Sequence, residues 1–489
     1  MNVNNLRATA ERLAPLWVLL IAVAAVLIAP IGYTGGGADD THYLEAARCW
    51  SAAGFPCLPE NHWASRWPSV VPIAISTSLL GESRLTVGLG PLVAWIASIG
   101  LVAGLGSLWF DRITGCLAAA IIAATPVVTQ VALQPGVDTT ELTLQLAALL
   151  VATLAYDRQS PQLAAVAGAL AAIAVQARDT SILFCGAACL FWLFLDPRRR
   201  KVLLWAFTGF CAVVAAELIS YAIATGDPFY RYRLAFGHVN IPSAELAATV
   251  DTSRSPLFNR DYIAGWRREA GIHLWWPLDP WLNLLASPRV GPLLAGVLPA
   301  GSIGWSTLPP NWKRPIAALL GLSLLISVGL IYGLAIDPKP RMFFTLIAAC
   351  SFALAAMTVA AWRSGRGAVP AAVAALVILA GLYVLSMFAN THQLELQAKR
   401  WIEANPNEIE IDPSTTSVLA LVPETHLLPL TGSGRPLRIH ATNLTCGVFR
   451  QPVIARVGDE GAELCLLRND AISSRQLTEK RAGARSNPA

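Results

Sequence analysis

The 489-residue chain is 55% hydrophobic and only 14% charged, with a mean hydropathy of +0.52. Soluble globular domains are less apolar, so this composition excludes a soluble enzyme and predicts an integral membrane protein. The formal net charge of +5 does not indicate a nucleic-acid partner, because the basic residues lie mostly in short loops between apolar runs, as the positive-inside rule expects. We therefore predict a membrane partner and no nucleic acid.

The apolar runs predict an all-α polytopic membrane fold. A hydrocarbon core of about 30 Å is crossed by roughly 17–25 mostly apolar residues, and about eleven runs approach that length. In chain order the predicted transmembrane helices are Leu13–Gly32, Arg84–Trp109, Ile113–Leu133, Thr139–Tyr156, Gln162–Ala177, Thr180–Leu195, Val202–Thr225, Val290–Leu308, Ile316–Ile336, Met342–Ala361 and Val369–Ala389.

The charged loops predict the orientation of these spans. With a cytoplasmic N-terminus, the inward loops hold 12 basic residues against four acidic ones, and the strongest cluster is "DPRRRK" with its cations Arg198–Lys201. Translocation of four adjacent cations is disfavoured. The sequence therefore predicts a bacterial inner-membrane protein whose functional face lies on the periplasmic side.

Three outer stretches are too long to be simple turns. Within the membrane domain, residues 1–389, these are the first periplasmic loop, residues 33–83, and a Trp-rich periplasmic loop, residues 226–288. The third, residues 390–489, has ordinary soluble composition and predicts a small C-terminal extramembrane domain with a disordered end. Four cysteines fall on this oxidising side. We predict a disulfide between Cys49 and Cys57, and leave the pairing of Cys446 with Cys465 open.

Ionisable residues recur in the outer turns. They are Asp39 and Asp40 after a glycine triplet, Asp138 and Glu141 in "QPGVDTTE", Arg178 with Asp179, and Asp337, Lys339 and Arg341 in "DPKPRMFF". Any one of them is most simply a solvated loop charge. The aspartate pair is less simply explained, because adjacent carboxylates repel and the preceding glycines leave the backbone free to set their positions.

These motifs resemble those of a known family. "ADDTHYLEAA" resembles the Asp-Asp/Glu-x-x-Tyr-x-x-Ala signature in the first periplasmic loop of GT-C glycosyltransferases of the protein O-mannosyltransferase and lipid A aminoarabinose transferase type. "SRWPSVVPIAISTSLLGESRLTVGL", "QPGVDTTE" and "PRMFFTLIAA" follow the same plan in the same order and on the same side. The resemblance covers roughly Leu13 to Ala361. One departure is "SRWP", where relatives often have a cation directly before the proline, which leaves the role of Arg66 open.

The resemblance implies an inverting transfer of a sugar from a polyprenyl-phosphate donor to an acceptor hydroxyl of a lipid, glycan or protein. Such chemistry needs a carboxylate to take or share the acceptor proton, and cations to meet the departing lipid phosphate. It implies Asp39 and Asp40 as catalytic residues, with Asp39 as the base. The implied substrate-binding residues are Tyr43, Arg66, Asp138, Glu141, Arg178, Lys339 and Arg341. For each of the cations, a salt bridge or a lipid-headgroup contact is the structural alternative.

Two further questions stay open at the level of the sequence. No cofactor is certain, and a divalent metal, if one is used, would find oxygen ligands in Asp39, Asp138 and Glu141. The alternative functions are a transporter or flippase, or a polymerase, of lipid-linked saccharides. A transporter should show internal repeats and ionisable residues near the bilayer centre, whereas Glu217 alone is predicted to lie within a span, near its outer end.

Overall fold

The computed structural model describes residues 3–28, 38–53, 57, 62–132, 134–195, 200–239, 275, 277–334, 339–404, 409–411, 435–442, 453–457 and 463–468. Side chains are described within these ranges except at residues 3–12, 38–41, 53, 84, 191–195, 200–201, 236–239 and from 387 onward.

Helices make up the described membrane part. They are α1 (Val3–Ile28), α2 (Ala38–Ala53), α3 (Trp67–Leu80), α4 (Arg84–Trp109), α5 (Arg112–Ala124), α6 (Pro126–Val131), α7 (Asp138–Arg158), α8 (Pro161–Ala177), α9 (Ser181–Leu195), α10 (Arg200–Thr225), α11 (Tyr230–Val239), α12 (Asp279–Ala286), α13 (Gly291–Thr307), α14 (Pro310–Val328), α15 (Phe344–Arg363) and α16 (Ala368–Ala404). A π-turn at Gly329–Gly333 extends α14, and a 3₁₀ turn at Pro340–Phe343 precedes α15.

The predicted all-α polytopic fold is confirmed for this part of the chain. Each predicted run contains a helix, and six described segments are long and apolar enough to cross a membrane. They are Leu85–Trp109, Asp138–Arg158, Val202–Thr225, Pro310–Gly333, Pro340–Arg363 and Ala368–Ser386. The count of about eleven spans stays a prediction. α15 lies at the centre of the bundle, because 89% of its most apolar stretch is buried inside the protein. In α10, only 6% of the corresponding stretch is buried.

One predicted span is broken in two. The run Ile113–Leu133 contains α5 and α6, which are separated at Thr125. Pro126 disfavours helical dihedrals in the residue before it, and Thr125 accordingly has an extended backbone (φ −75°, ψ 116°). The short helix α6 then leads into the connection to α7, at the end of the bundle that also carries α2. We call this the α2 end.

Small residues bring α8 and α10 into backbone contact. A Cβ added at Gly168 would lie 1.7 Å from the carbonyl oxygen of Ala206, and one at Gly209 would lie 1.9 Å from that of Ala165. In membranes, small residues at such positions allow close packing that larger side chains prevent. This contact fixes the position of α8, and α8 leads directly into the turn that carries Arg178.

Gly168→Val should therefore separate α8 from α10. Overpacking typically costs about 1–3 kcal/mol, and a clash with backbone leaves little room for relief. We expect a clear loss of thermal stability in detergent, measured by unfolding and by size-exclusion profile. Gly321→Ala on α14 is the control, because nothing lies within 4 Å of a Cβ there. An unchanged melting temperature for Gly168→Val would contradict the packing described for these two helices.

The C-terminal region forms a small sheet. Its strands are β1 (Ile409–Ile411), β2 (Arg435–Thr442), β3 (Val453–Val457) and β4 (Glu463–Arg468), in the order β1-β2-β4-β3. β1 and β2 are parallel, and the other two pairs are antiparallel. α16 continues through Ala389 to Ala404, so the predicted boundary between residues 389 and 390 falls inside one helix. Cys446 lies outside the described residues, and its pairing with Cys465 stays untested.

Candidate active site

The described residues of the predicted first periplasmic loop pack into a core at the α2 end. Tyr43, Leu44 and Ala47 of α2 pack with residues of α3 and with Val137, which directly precedes α7. The Trp50 indole donates a hydrogen bond to the carbonyl of Ala64 at 3.0 Å. The predicted disulfide between Cys49 and Cys57 is confirmed and fastens the end of α2 to the chain beyond it. α2 is therefore held against the start of α7 by burial, and its C-terminal end is fixed by the disulfide.

Asp39 and Asp40 lie in the first turn of α2, and their side chains are outside the described part of the structure. Tyr43 follows one turn later, at positions i+4 and i+3, so the three residues share one side of the helix. The Tyr43 side chain is buried, with 3% of its surface exposed. The placement of Tyr43 therefore locates the helix face on which the aspartate pair stands.

Tyr43 and Arg66 are in contact. The Arg66 Nη1 donates a hydrogen bond to the Tyr43 Oη at 2.5 Å, and Arg66 is the residue directly before α3. The buried Arg66 Nε makes no hydrogen bond with the residues that the structure describes. Arg66, the cation of "SRWP", therefore holds Tyr43 beside the aspartate turn.

Asp138, Glu141 and Arg178 form a buried ion cluster. Arg178 Nη2 lies 2.7 Å from Asp138 Oδ1, and Arg178 Nη1 donates to Glu141 Oε2 at 2.8 Å. The Ser181 hydroxyl and the Gln145 amide both donate to Glu141 Oε1, at 2.6 and 3.1 Å. The salt bridge that was one alternative for Arg178 is therefore formed, and it joins the start of α7 to the turn between α8 and α9.

This cluster is electrostatically linked to Tyr43. Burial disfavours the charged form of Arg178, but the carboxylates of Asp138 and Glu141, with a smaller contribution from Tyr43, outweigh burial and raise the pKa of Arg178. Arg178 is accordingly a permanent cation. Tyr43 is close enough to Arg178 to interact with its charge, and Tyr43 lies next to the first turn of α2. The structure therefore brings Tyr43 together with Asp138, Glu141 and Arg178.

A metal would have to compete with Arg178 here. Among the residues that the structure describes, no group of three or more His, Cys, Asp or Glu side chains is arranged to hold a metal ion. Asp138 and Glu141 already direct oxygens at Arg178, whose cationic fork takes the place that a divalent ion would need. The Asp39 side chain is outside the described residues, and the hypothesis of a metal bound by Asp39, Asp138 and Glu141 stays a prediction.

A second group of cations lies at the same end of the bundle. Arg341 belongs to the 3₁₀ turn before α15, and Lys339 directly precedes that turn, which packs against α6. Arg289, in the turn between α12 and α13, accepts a backbone hydrogen bond from Val127 of α6 through its carbonyl. Partial burial, and then the like charge of Arg341, lower the pKa of Arg289. Two guanidinium groups thus lie close enough to repel, an arrangement that an anion would relieve.

The π-turn positions this second group. Its Tyr332 accepts a hydrogen bond from the Trp281 indole at 2.9 Å and donates one to the carbonyl of Pro277. Trp281 in turn packs its ring against Phe343, the last residue of the 3₁₀ turn. π-turns often occur at functional sites. Here Tyr332 fastens α12 beside the turn that carries Arg341.

Sequence reasoning missed Arg289, Gln145 and Ser181. Arg289 carried a usable signal, since "SPRV" places a cation at the predicted outer entrance to a span, like Arg341 in "PRMFF". Gln145 and Ser181 carried little, because isolated polar residues in apolar runs most often serve helix packing.

Comparison with known proteins bears on this arrangement. The family model described as dolichyl-phosphate-mannose-protein mannosyltransferase matches residues 69–223, which include Asp138, Glu141 and Arg178. The structure of ArnT from Cupriavidus metallidurans in the apo state matches with a TM-score of 0.52 at 11% identity, over 94% of this chain and 98% of that one. Over residues 69–223 the chain is similar to this mannosyltransferase family, and its fold is similar to that of ArnT.

Two further structures are similar to this chain at lower scores. The same ArnT bound to undecaprenyl phosphate matches with a TM-score of 0.46 at 11% identity, over 94% of this chain and 98% of that one. The Archaeoglobus fulgidus oligosaccharyltransferase, in complex with Zn and sulfate, matches with a TM-score of 0.49 at 14% identity over 85% of this chain. This chain spans 58% of the length of that oligosaccharyltransferase. No curated protein has significant sequence similarity to the chain.

Proposed function

We propose that this protein is a GT-C glycosyltransferase that transfers a sugar from a polyprenyl-phosphate donor to an acceptor hydroxyl of a lipid, glycan or protein, with inversion, at the periplasmic face of the bacterial inner membrane. The observation that carries the proposal is the assembly of Tyr43, Arg66 and the Arg178 cluster around the first turn of α2, where the aspartate pair stands.

The first part of the chemistry is activation of the acceptor. A hydroxyl is a weak nucleophile at neutral pH, and a carboxylate that takes its proton in the transition state lowers the barrier. Asp39 is assigned this role, and Asp40 holds the loop or contacts the sugar. Glu141 is unsuited to it, because its oxygens already accept hydrogen bonds from Arg178, Ser181 and Gln145.

The second part is stabilisation of the leaving lipid phosphate. Charge that develops on the departing oxygen needs fixed cations near the membrane surface. The Arg289 and Arg341 pair, with Lys339 beside it, supplies such charge at the α2 end. Arg66 supplies a further guanidinium on the side of the aspartate turn.

Arg341→Ala and Arg289→Ala should each weaken donor use. Loss of one charge-assisted hydrogen bond costs about 1.5–3 kcal/mol, which is roughly 10- to 100-fold in affinity. We expect the KM for the donor to rise more than kcat falls, and the effect to shrink at high salt. Arg314→Ala, an exposed cation near the opposite end of α14, is the matched control. Equal effects of all three variants would contradict a phosphate site at the α2 end.

The alternatives are tested by the fate of the donor. Proteoliposomes that contain the purified protein would be given labelled polyprenyl-phosphate sugars and candidate acceptors. A transferase releases the free polyprenyl phosphate only when an acceptor is present. Movement of the intact donor across the bilayer would indicate a transporter or flippase, and growth of a glycan on the carrier would indicate a polymerase. Either result would overturn the proposed function.

A further inference from the structure

Arg231 is a buried cation that joins three elements. It lies on α11 with 1% of its side chain exposed, and its Nη1 donates to Glu217 Oε1 of α10 at 2.8 Å. Its Nη2 lies 2.9 and 3.0 Å from the carbonyl oxygens of Val175 and Gln176, near the end of α8. The same Nη2 is 3.0 Å from Asp179 Oδ1, in the turn that follows α8.

These contacts explain why a charge is tolerated at this position. The last carbonyl groups of a helix have no partner within the helix, and a cation there also interacts favourably with the helix dipole. Burial disfavours the charged form of Arg231, but Asp179 and Glu217 outweigh it and raise the pKa of Arg231. The guanidinium is therefore permanently charged. Its planar fork serves two carbonyls and two carboxylates at once, which the single ammonium group of lysine does not do.

The clamp acts on the backbone that carries Arg178. Asp179 directly follows Arg178, and the two side chains engage different partners, Arg231 in one case and the Asp138–Glu141 pair in the other. The turn itself is short, since the Arg178 N–H donates to Ala174 and the Ser181 N–H donates back to Arg178. A shift of Asp179 therefore displaces Arg178 by a similar distance.

We infer that Arg231 is a positioning residue of the transfer centre, which holds the turn between α8 and α9 so that Arg178 stays against Asp138 and Glu141. The inference rests on the proposed function. A purely structural ion pair would stabilise the fold without acting through Arg178, and the two cases differ in kinetics.

The test is a double-mutant cycle on kcat. A misplacement of about 1 Å at a catalytic group can cost about 10²-fold in rate, so Arg231→Lys should lower kcat by that order, with a smaller change in the KM for the donor. Arg178→Lys removes the guanidinium group that Arg231 positions. In that background, Arg231→Lys should lower kcat little further, because residues that act as one unit are not additive. Arg233→Ala is the matched control: it lies on α11, is 68% exposed and pairs with Asp227.

A second variant keeps the test valid if Arg231→Lys does not fold. Asp179→Asn removes one partly exposed carboxylate and leaves the contacts of Arg231 with Glu217 and the α8 carbonyls in place. It should lower kcat without changing the melting temperature in detergent, and this loss should also vanish in the Arg178→Lys background. Losses that multiply in an active protein, or a normal kcat for both variants, overturn the inference alone. A parent protein that releases no carrier from any polyprenyl-phosphate sugar overturns the proposed function and the inference with it.

Discussion

Asp39→Asn is expected to lower the rate of sugar transfer by about 10²–10⁴-fold, the usual cost of losing a general base. Asparagine keeps the shape of the side chain and removes the charge that accepts the acceptor proton. The first turn of α2 is held by Tyr43 and its contact with Arg66, so the variant should stay folded in detergent and still bind the lipid donor. The measurement is the initial rate of carrier release in proteoliposomes, at saturating donor.

Glu45→Gln is the matched control for Asp39. It also removes one carboxylate from α2, but Glu45 is 54% exposed and contacts only His42 among the ion pairs of the described residues. A surface change of this kind usually alters stability by less than about 0.5 kcal/mol. Asp40→Asn separates the two aspartates, since a residue that holds the loop or contacts the sugar should lose less than the base. Transfer by Asp39→Asn at close to the parent rate would return the pair to a solvated loop without a catalytic role.

Arg178→Gln should have the largest effect on stability. It leaves the buried carboxylates of Asp138 and Glu141 without their cation. Removal of one partner from a buried ion pair typically costs about 3–5 kcal/mol. We expect a large fall in the melting temperature and loss of transfer. Arg363→Gln is the control at the opposite end of the bundle, because its pair with Asp111 is partly exposed and should contribute at most about 1 kcal/mol.

A neutral cluster separates stability from function. When Asp138→Asn and Glu141→Gln are added to Arg178→Gln, no uncompensated charge remains buried, and much of the stability should return. Transfer should not return, because the charges around Tyr43 and the aspartate turn are still missing. Recovery of transfer in this triple variant would mean that the cluster serves packing alone. An unchanged melting temperature for Arg178→Gln would contradict its burial between the two carboxylates.

The helices could be predicted from the sequence because the bilayer imposes a local rule. A run of apolar residues of sufficient length must satisfy its own backbone hydrogen bonds, so it becomes a helix wherever it lies in the chain. The break at Pro126 follows from a local rule as well, and was overlooked because hydropathy does not change there. The extension of α16 beyond Ala389 was missed because hydropathy falls there although the helix does not end. Hydropathy ends where the membrane ends, but a helix continues as long as its backbone bonds do.

The partners of the site residues depended on packing between distant segments. The sequence predicted that Asp138, Glu141 and Arg178 lie in outer turns. That prediction concerns their position relative to the membrane, and it left open which residues each would contact. Arg178 reaches Glu141 across 37 positions of sequence. It does so because α7 and α8 pack side by side, and α8 is also set against α10 by glycines that admit backbone contact. That geometry has no signature in hydropathy or charge.

The sequence by itself determined that this is a polytopic membrane protein with the acidic motifs on one side, through its composition, charge bias and motif order. The oxidising compartment predicted for the first loop suggested the disulfide between Cys49 and Cys57. Only the tertiary structure decided that Arg66 holds Tyr43, that Arg289 stands beside Arg341, and that Arg231 is buried behind the turn of Arg178. The physical reason is that insertion into a bilayer is governed by each segment's own free energy of transfer, whereas contacts between cations and carboxylates depend on how helices pack, at distances of a few ångströms.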